Sequence, residues 1–560
     1  MRWDERLLAE LVEVYGSDVG ARLAEELIEM AQKNRSAGAE ADARLFEDPG
    51  AAVLISYGDQ VTSPGEAPLA TLGNFLRNHV AGLTRGVHVL PFYPWSSDDG
   101  FSVEDFFAVD PALGGWEDIR ALAGDFYLMV DAVFNHASAK GEWFRKFQNG
   151  EPGFEEFFAT VEGEPDLSRV VRPRTLPLLT GFSTARGARR VWTTFSADQA
   201  DLNFRDPFVM KSVCEALLFY LRQGARLVRL DAIGFIWKEP GTTCIHLPQA
   251  HALVRAWRAL AEGAAPGAMI VTETNVPHAD NISYFGDGWN EAHMVYNFAL
   301  PPLVLHTLRA GDAAALNRWA ATLKTPSTKT AFFNFLASHD GIGINPARGI
   351  LSAAEIECLV DGARAAGGFV SMKSLPEGGE VPYELNVNFF DALAAGVDVE
   401  TALGRFLAAH AIAFSLAGIP GIYFHSLFGS RGDREGAKRS GIPRRINREK
   451  FQLEALEAEL GAPESLRMRV FSGLSRLLRV RKTQPAFAPC AAQAIEDFGS
   501  SLVAIRRGEG AESVLCLHEI SGAAAKVALP GRWRDLLSNE LHEGSVRLPA
   551  LGVVWLTKAL

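Results

Sequence analysis

Residues 226–235 read RLVRLDAIGF. Leu227, Val228, Leu230 and Ile233 suit a strand covered on both faces, as the strands of a parallel sheet are. Arg229 and Asp231 break that texture. Two residues apart on a strand, they point to the same side. A covered strand that aims an arginine and an aspartate at one place holds either a structural ion pair or the edge of a site.

Seven other short apolar runs share this texture: AAVLISYG (51–58), GVHVLPFYP (86–94), FYLMVDAVFNH (126–136), AMIVTETN (268–275), HMVYNFAL (293–300), TAFFNFLASHDG (330–341) and GIPGIYFHS (418–426). Helical patterns such as PFVMKSVCEALLFYLRQG and LPQAHALVRAWRALAEG lie between them. Eight strands alternating with helices predict an α/β fold, a (β/α)8 TIM barrel rather than an open doubly wound sheet. Chemistry in such barrels collects at the C-terminal ends of the strands. Polar residues gather at those ends here: Asp131, Asn135 and His136; Arg229 and Asp231; Glu273; His339 and Asp340.

Around that barrel the chain divides into seven expected segments. Residues 1–48 form a helical extension in which Leu7, Leu8, Leu11, Val12, Leu23, Leu27 and Met30 recur at helical spacing. The barrel occupies 49–133, 208–341 and 383–485. Two intervals too long for one helix, 134–207 and 342–382, read as insertions over the C-terminal face. From 486 to 560 short β segments predict a small C-terminal β domain.

Bulk properties exclude several classes. The 560 residues are 48% hydrophobic and 22% charged, as in ordinary globular proteins. A net charge of -12 argues against general affinity for nucleic acid or an anionic membrane. Five cysteines without a CxxC pair argue against a zinc site or a disulfide framework and fit a reducing compartment. The N-terminus has no signal-type apolar core, and no run of about 18 apolar residues occurs. A cytoplasmic protein with small-molecule partners is expected, its oligomeric state, a homodimer included, being left open.

Asp231 and Glu273 end consecutive predicted strands, which brings their side chains together at a barrel mouth. A nucleophilic carboxylate and an acid/base carboxylate about 5–5.5 Å apart make the retaining glycoside machinery. Arg229 is expected to hold Asp231 ionised, since a neighbouring cation lowers a carboxylate pKa. Glu273 must begin protonated, favoured by burial and by repulsion from other carboxylates. Singly, the Arg229–Asp231 pair, the HD of 339–340 and the DAVFNH stretch each suit structural roles equally well.

Together, DAVFNH, RLVRLDAIGF, TETN and ASHDG resemble, in that order, the four conserved regions of the alpha-amylase superfamily, glycoside hydrolase family 13. The resemblance covers residues 51–485. It implies Asp231 as nucleophile, Glu273 as acid/base, Asp340 as transition-state stabiliser, and Arg229, His136 and His339 as glucose contacts. HVLPFYPWSSDDGFSVEDF, HDGIGI, PYELNVNFFDAL and RRINREKF resemble the sucrose phosphorylase subfamily. This implies that Asp98 holds the glucose, partnered by Arg448 or else Arg445, in a pocket closed at one end.

In VRPRTLPLL, Arg174 is similar in position to the subfamily's phosphate-contacting arginine, with Arg172 nearby. A planar guanidinium offers a phosphate two parallel donors. Asn135 stands where many amylases place a calcium ligand, yet the subfamily generally lacks the ion, so no metal or organic cofactor is implied beyond phosphate as co-substrate. Two positions depart from sucrose phosphorylases: Phe235 replaces a tyrosine and Asn275 a histidine. TETNVPH with ISYFG, and the helical extension, are more similar to the glucosylglycerate phosphorylases of that subfamily. The expected reaction is phosphorolysis of a small α-glucoside. Sucrose or glucosylglycerol phosphorolysis and retaining α-glucoside hydrolysis are the alternatives. A non-catalytic amylase-like binding protein is disfavoured by the presence of all three carboxylates.

Overall fold

The computed structural model describes residues 1–35, 45–375 and 378–559. All eight apolar runs become parallel strands: β1 (Val53–Ser56), β2 (Gly86–Val89), β3 (Tyr127–Ala132), β4 (Ala225–Leu230), β5 (Met269–Thr272), β6 (Met294–Tyr296), β7 (Ala331–Phe335) and β8 (Ile419–Tyr423). Each pairs with its neighbours in sequence, and β8 closes on β1 to complete the barrel. The strands read as nearly continuous apolar runs because barrel interior and helix layer cover both faces. The register sets Arg229 opposite Asp131 on β3 and Val271 on β5.

The helices begin and end where local chemistry dictates. Helix Pro207–Arg222 starts with a proline in its first turn, and the Asp206 carboxylate accepts from the Phe208 N–H at 2.9 Å. At the N-terminus, α1 (Trp3–Tyr15) and α2 (Ser17–Lys33) are separated by Gly16 at φ 79°. They meet at Gly20, where a β-carbon would lie 2.4 Å from the Leu11 carbonyl. Leu7, Leu11, Leu23 and Leu27 are buried, whereas Leu8 faces solvent. The pair docks on helix Pro248–Ala264, outside β4, where Arg255 bridges Glu10 at 2.7 Å and Glu291 at 3.2 Å. The part of the expected extension at 36–44 lies outside the described residues.

After β3 come strands His136–Ser138 and Gln199–Asp201, which pair with each other, and a three-stranded sheet built from Thr160–Val161, Leu179–Thr184 and Gly187–Trp192. After β7, strands Ile342–Gly343, Phe369–Ser374 and Glu380–Asn386 form another. This second sheet runs four residues past 382 and carries Tyr383 and Glu384 to the barrel mouth. A six-stranded antiparallel sheet closes the chain, from Gln493–Glu496 to Val553–Lys558. Among the described residues no helix is long and apolar enough to cross a membrane.

Arg481 joins these parts. It is 1% exposed and donates to the carbonyls of Pro49, Ala51, Phe414, Gly418 and Phe487, tying the entries to β1 and β8 to the segment before the C-terminal sheet. Burial pulls its pKa down to about 9. Arg481→Met keeps much of the stem but strands those carbonyls, each costing about 1–3 kcal/mol when buried unpaired. A fall in the melting temperature of many degrees is expected by differential scanning calorimetry. A melting curve superimposable on the wild type would contradict this role.

Candidate active site

β4 ends at Leu230, and the chain turns sharply. Ala232 adopts φ 49°, left-handed and strained for a residue with a β-carbon, before a short 3-10 turn over Ile233–Phe235. The turn lifts Asp231 off the strand end and into a cavity. The Ala232 N–H donates to Glu273 Oε2 at 3.0 Å, so one backbone step fixes both carboxylates.

Arg229 lies beneath them, 2% exposed, between the rings of Phe101 and Tyr296. Its Nη1 reaches Asp231 Oδ1 at 2.7 Å and also pairs with Asp131, while Nη2 is 3.9 Å from Glu273 Oε1. Asp131 is fully buried and takes a second partner, His88 Nε2, at 2.7 Å. Burial opposes its charge, but His88 and Arg229 outweigh burial and hold its pKa low. It serves as a fixed negative charge under the floor and does not line the cavity.

The expected effect of Arg229 on Asp231 is corrected here. Burial outweighs the arginine, and the Asp231 pKa is raised from its ordinary value. The negative charge of Asp131, paired with the same Arg229, adds its repulsion to the effect of burial. Glu273 is pushed to about 7 by burial first, with Arg229 opposing and Asp231 and Asp340 adding their repulsion. Of the two coupled carboxylates, Glu273 keeps the proton.

Asp340 receives more compensation. Arg444 Nη1 sits 2.7 Å from its Oδ1 and Arg448 Nη2 at 3.8 Å. These cations overcome its burial and lower its pKa. Arg444 is itself clamped by both oxygens of Glu384, at 2.9 and 2.7 Å. His339 stacks on Phe101, with centroids 4.7 Å apart and planes at 5°. His136 Nε2 lies 2.8 Å from the Phe101 carbonyl.

Asp98, His136, Arg174, Asp231, Glu273, His339 and Asp340 line one cavity. Arg448 stands differently. Its close partner is Asp99, at 2.7 Å, with Asp98 at 3.5 Å. Arg445 grips the same Asp99 at 2.6 Å, and Asp99 is held down at about 2 because the two arginines overcome its burial. Arg448 and Asp99 line a neighbouring cavity of about 500 Å³. Asp98, Asp99 and Gly100 have φ of 54°, 48° and 112°, and this tight turn sends the two aspartates apart.

Sequence reasoning missed Asp99, Arg444, Tyr383 and Glu384. The clustered arginines of RRINREKF were a signal for Arg444, and PYELN for the other two on the second sheet. At Asn135 the structure places an ammonium group: Lys238 Nζ is 2.7 Å from Asn135 Oδ1 and 2.9 Å from Asp201 Oδ2.

Residues 81–345 match the family described as alpha amylase, catalytic domain. The glucosylglycerate phosphorylase of Allomeiothermus silvanus is 51% identical over 499 residues, 89% of this chain and 89% of that one. That of Spirochaeta thermophila is 50% identical over 493 residues, 88% of this chain and 84% of its own. In fold, the crystal structure of sucrose 6F-phosphate phosphorylase from Thermoanaerobacter thermosaccharolyticum superposes with a TM-score of 0.73 at 24% identity, covering 91% of this chain and 98% of the other.

With a pKa of about 7, Glu273 is protonated below neutrality and ionised above it. Any step in which it acts as an acid should lose rate as pH rises through about 7. The pH dependence of kcat/KM should therefore show a falling basic limb that Glu273→Gln removes from the residual activity. A limb that survives in the variant belongs to another group.

Proposed function

This chain belongs to the alpha-amylase superfamily and, within it, to the glycoside phosphorylases, and from that premise we propose that it cleaves glucosylglycerate with phosphate through a glucosyl-enzyme intermediate. The observation that carries the mechanism is one buried guanidinium 2.7 Å from Asp231 and 3.9 Å from Glu273, which gives the first carboxylate the closer cation, while burial pushes the second up to about 7.

In the first half, Asp231 attacks the anomeric carbon as the bond to glycerate breaks. Glu273 gives its proton to the departing oxygen, releasing glycerate and leaving a glucosyl ester on Asp231. In the second half, a phosphate oxygen attacks the anomeric carbon and the ester bond breaks. Glu273, now ionised, takes the phosphate proton. Two inversions leave α-glucose 1-phosphate with its configuration retained. Asp340, kept ionised by Arg444, would bind two sugar hydroxyls and gain strength as positive charge grows on the ring. Asp98, His136, His339 and, behind them, Arg448 hold the glucosyl unit, and Arg174 receives phosphate. The cycle uses phosphate as co-substrate and no metal or organic cofactor.

Two measurements check this. With α-glucose 1-phosphate and glycerate, glycerol, fructose or no acceptor, strong phosphate release is expected with glycerate alone. Equal release in all four would mean hydrolysis, and release with fructose would mean sucrose chemistry. Asp231→Asn is expected to lower turnover by at least about 10⁴-fold, as loss of a covalent nucleophile does. Circular dichroism should be unchanged. Near-normal turnover in the variant would remove Asp231 from the mechanism.

A further inference from the structure

Four guanidinium groups lie in or under the cavity, and three are already committed. Arg229 is held by Asp131 and Asp231. Arg444 is held by Asp340 and by both oxygens of Glu384. Arg448 is held by Asp99 and by the His339 carbonyl. Arg174 differs. Among the described residues it makes no ion pair, and its guanidinium lies over the ring of Tyr383, 5.8 Å from the centroid. Nearby Arg172 is turned away, donating to the Leu176 carbonyl.

Five carboxylates and a set of apolar side chains make up much of the rest of the lining, with His136, Gln199, Asn275 and His339 beside them. Asp98, Asp231, Glu273, Asp340 and Glu384 share it with Phe101, Phe195, Phe235, Ile245, Val276 and Phe298. A substrate carboxylate entering such a place meets repulsion unless a cation receives it. Among the described residues, Arg174 is the arginine of this lining that makes no ion pair. Beside it on the same wall, Asn275 has a buried amide oxygen with no protein partner, suited to accept from a hydroxyl. The β-carbon of any residue replacing Gly343 would lie 2.5 Å from that oxygen, so the absence of a side chain at 343 makes room for the amide.

We propose that Arg174 is a shared anion seat: it holds the carboxylate of an acidic acceptor in one half of the cycle and phosphate in the other, and so selects acidic acceptors over neutral polyols. The proposal rests on the glucosylglycerate reading above and adds the residue that enforces it. One guanidinium beside this many carboxylates cannot seat two anions at once. Glycerate and phosphate must therefore alternate on it, as a double displacement allows.

The test uses α-glucosyl fluoride as donor, since fluoride leaves without phosphate and forms the Asp231 ester directly. The ester is then shared among phosphate and an equimolar mixture of glycerate and glycerol, each acceptor hydroxyl losing its proton to Glu273. In Arg174→Gln, the glycerate-to-glycerol product ratio should fall about tenfold to a hundredfold, the range for losing a charge-assisted hydrogen bond. Transfer to phosphate should fall with it, and Arg174→Lys should recover part of the ratio. A ratio that holds while phosphate transfer falls would overturn the proposal and put the carboxylate elsewhere. If the Gln variant forms no glucoside, the ratio is read on Arg174→Lys, where the wild-type value would overturn the proposal too. Wild-type protein that transfers to phosphate but not to glycerate would refute the glucosylglycerate reading itself, and this inference with it.

Discussion

Everything at the barrel mouth is arranged around the buried charge of Arg229. A charged guanidinium buried at this depth is costly unless it is paired, and carboxylates pair this one. Register supplies the first match, Asp131 on the neighbouring strand, and the turn after β4 supplies the second, Asp231. Aromatic faces above and below, Phe101 and Tyr296, add attraction without adding charge. The opening ambiguity of RLVRLDAIGF, ion pair or site, resolves as both. The pair is structural because the cation is buried, and the same pair presents a carboxylate to the cavity.

The distribution of cations then assigns the carboxylates. Asp340 faces Arg444 and Arg448 and stays charged. Asp231 has half of Arg229. Glu273 has only the far nitrogen of that arginine and a single backbone N–H. Burial is common to all three, so the difference among them comes from pairing. Groups pushed apart in this way divide into acid and nucleophile. Glu384 sharpens the division indirectly: by clamping Arg444 it fixes the cation that Asp340 needs, so the sheet after β7 takes part in the electrostatics of a site at the barrel strands.

The barrel was legible because eight apolar runs of strand length, separated by helical patterns, have few other solutions. The three carboxylates were legible because they follow those runs at the C-terminal end of the barrel, although turns and not the strand period aim them. Legibility failed in the loops. Nothing in SSDDG says that three successive left-handed residues will turn Asp98 and Asp99 to different cavities. Arg448 does pair with Asp98, at 3.5 Å, but its closer partner is Asp99, at 2.7 Å. Arg444 and Glu384 were hidden for a related reason: sixty residues apart, they meet only because a strand of the second sheet crosses the mouth. The strength of Arg229 on Asp231 was misjudged because the sequence shows neighbours along a strand and not the competitor, Asp131, on the next one.

Phe235 shows how an apparent loss becomes part of the chemistry. A tyrosine there would place a hydroxyl beside the glucosyl ester, and a hydroxyl can orient water as well as phosphate. The phenyl ring meets Phe195 edge-on, with centroids 5.6 Å apart, and Phe195 in turn packs near His136. Together with Ile245, Val276 and Phe298 they give the acceptor side an apolar wall. Water held against such a wall finds few donors or acceptors to fix it for attack, whereas an anion is drawn to a guanidinium at the rim. In the proposed cycle a glucosyl ester on Asp231 would be shielded from water on this side by the apolar wall, and not by closure alone.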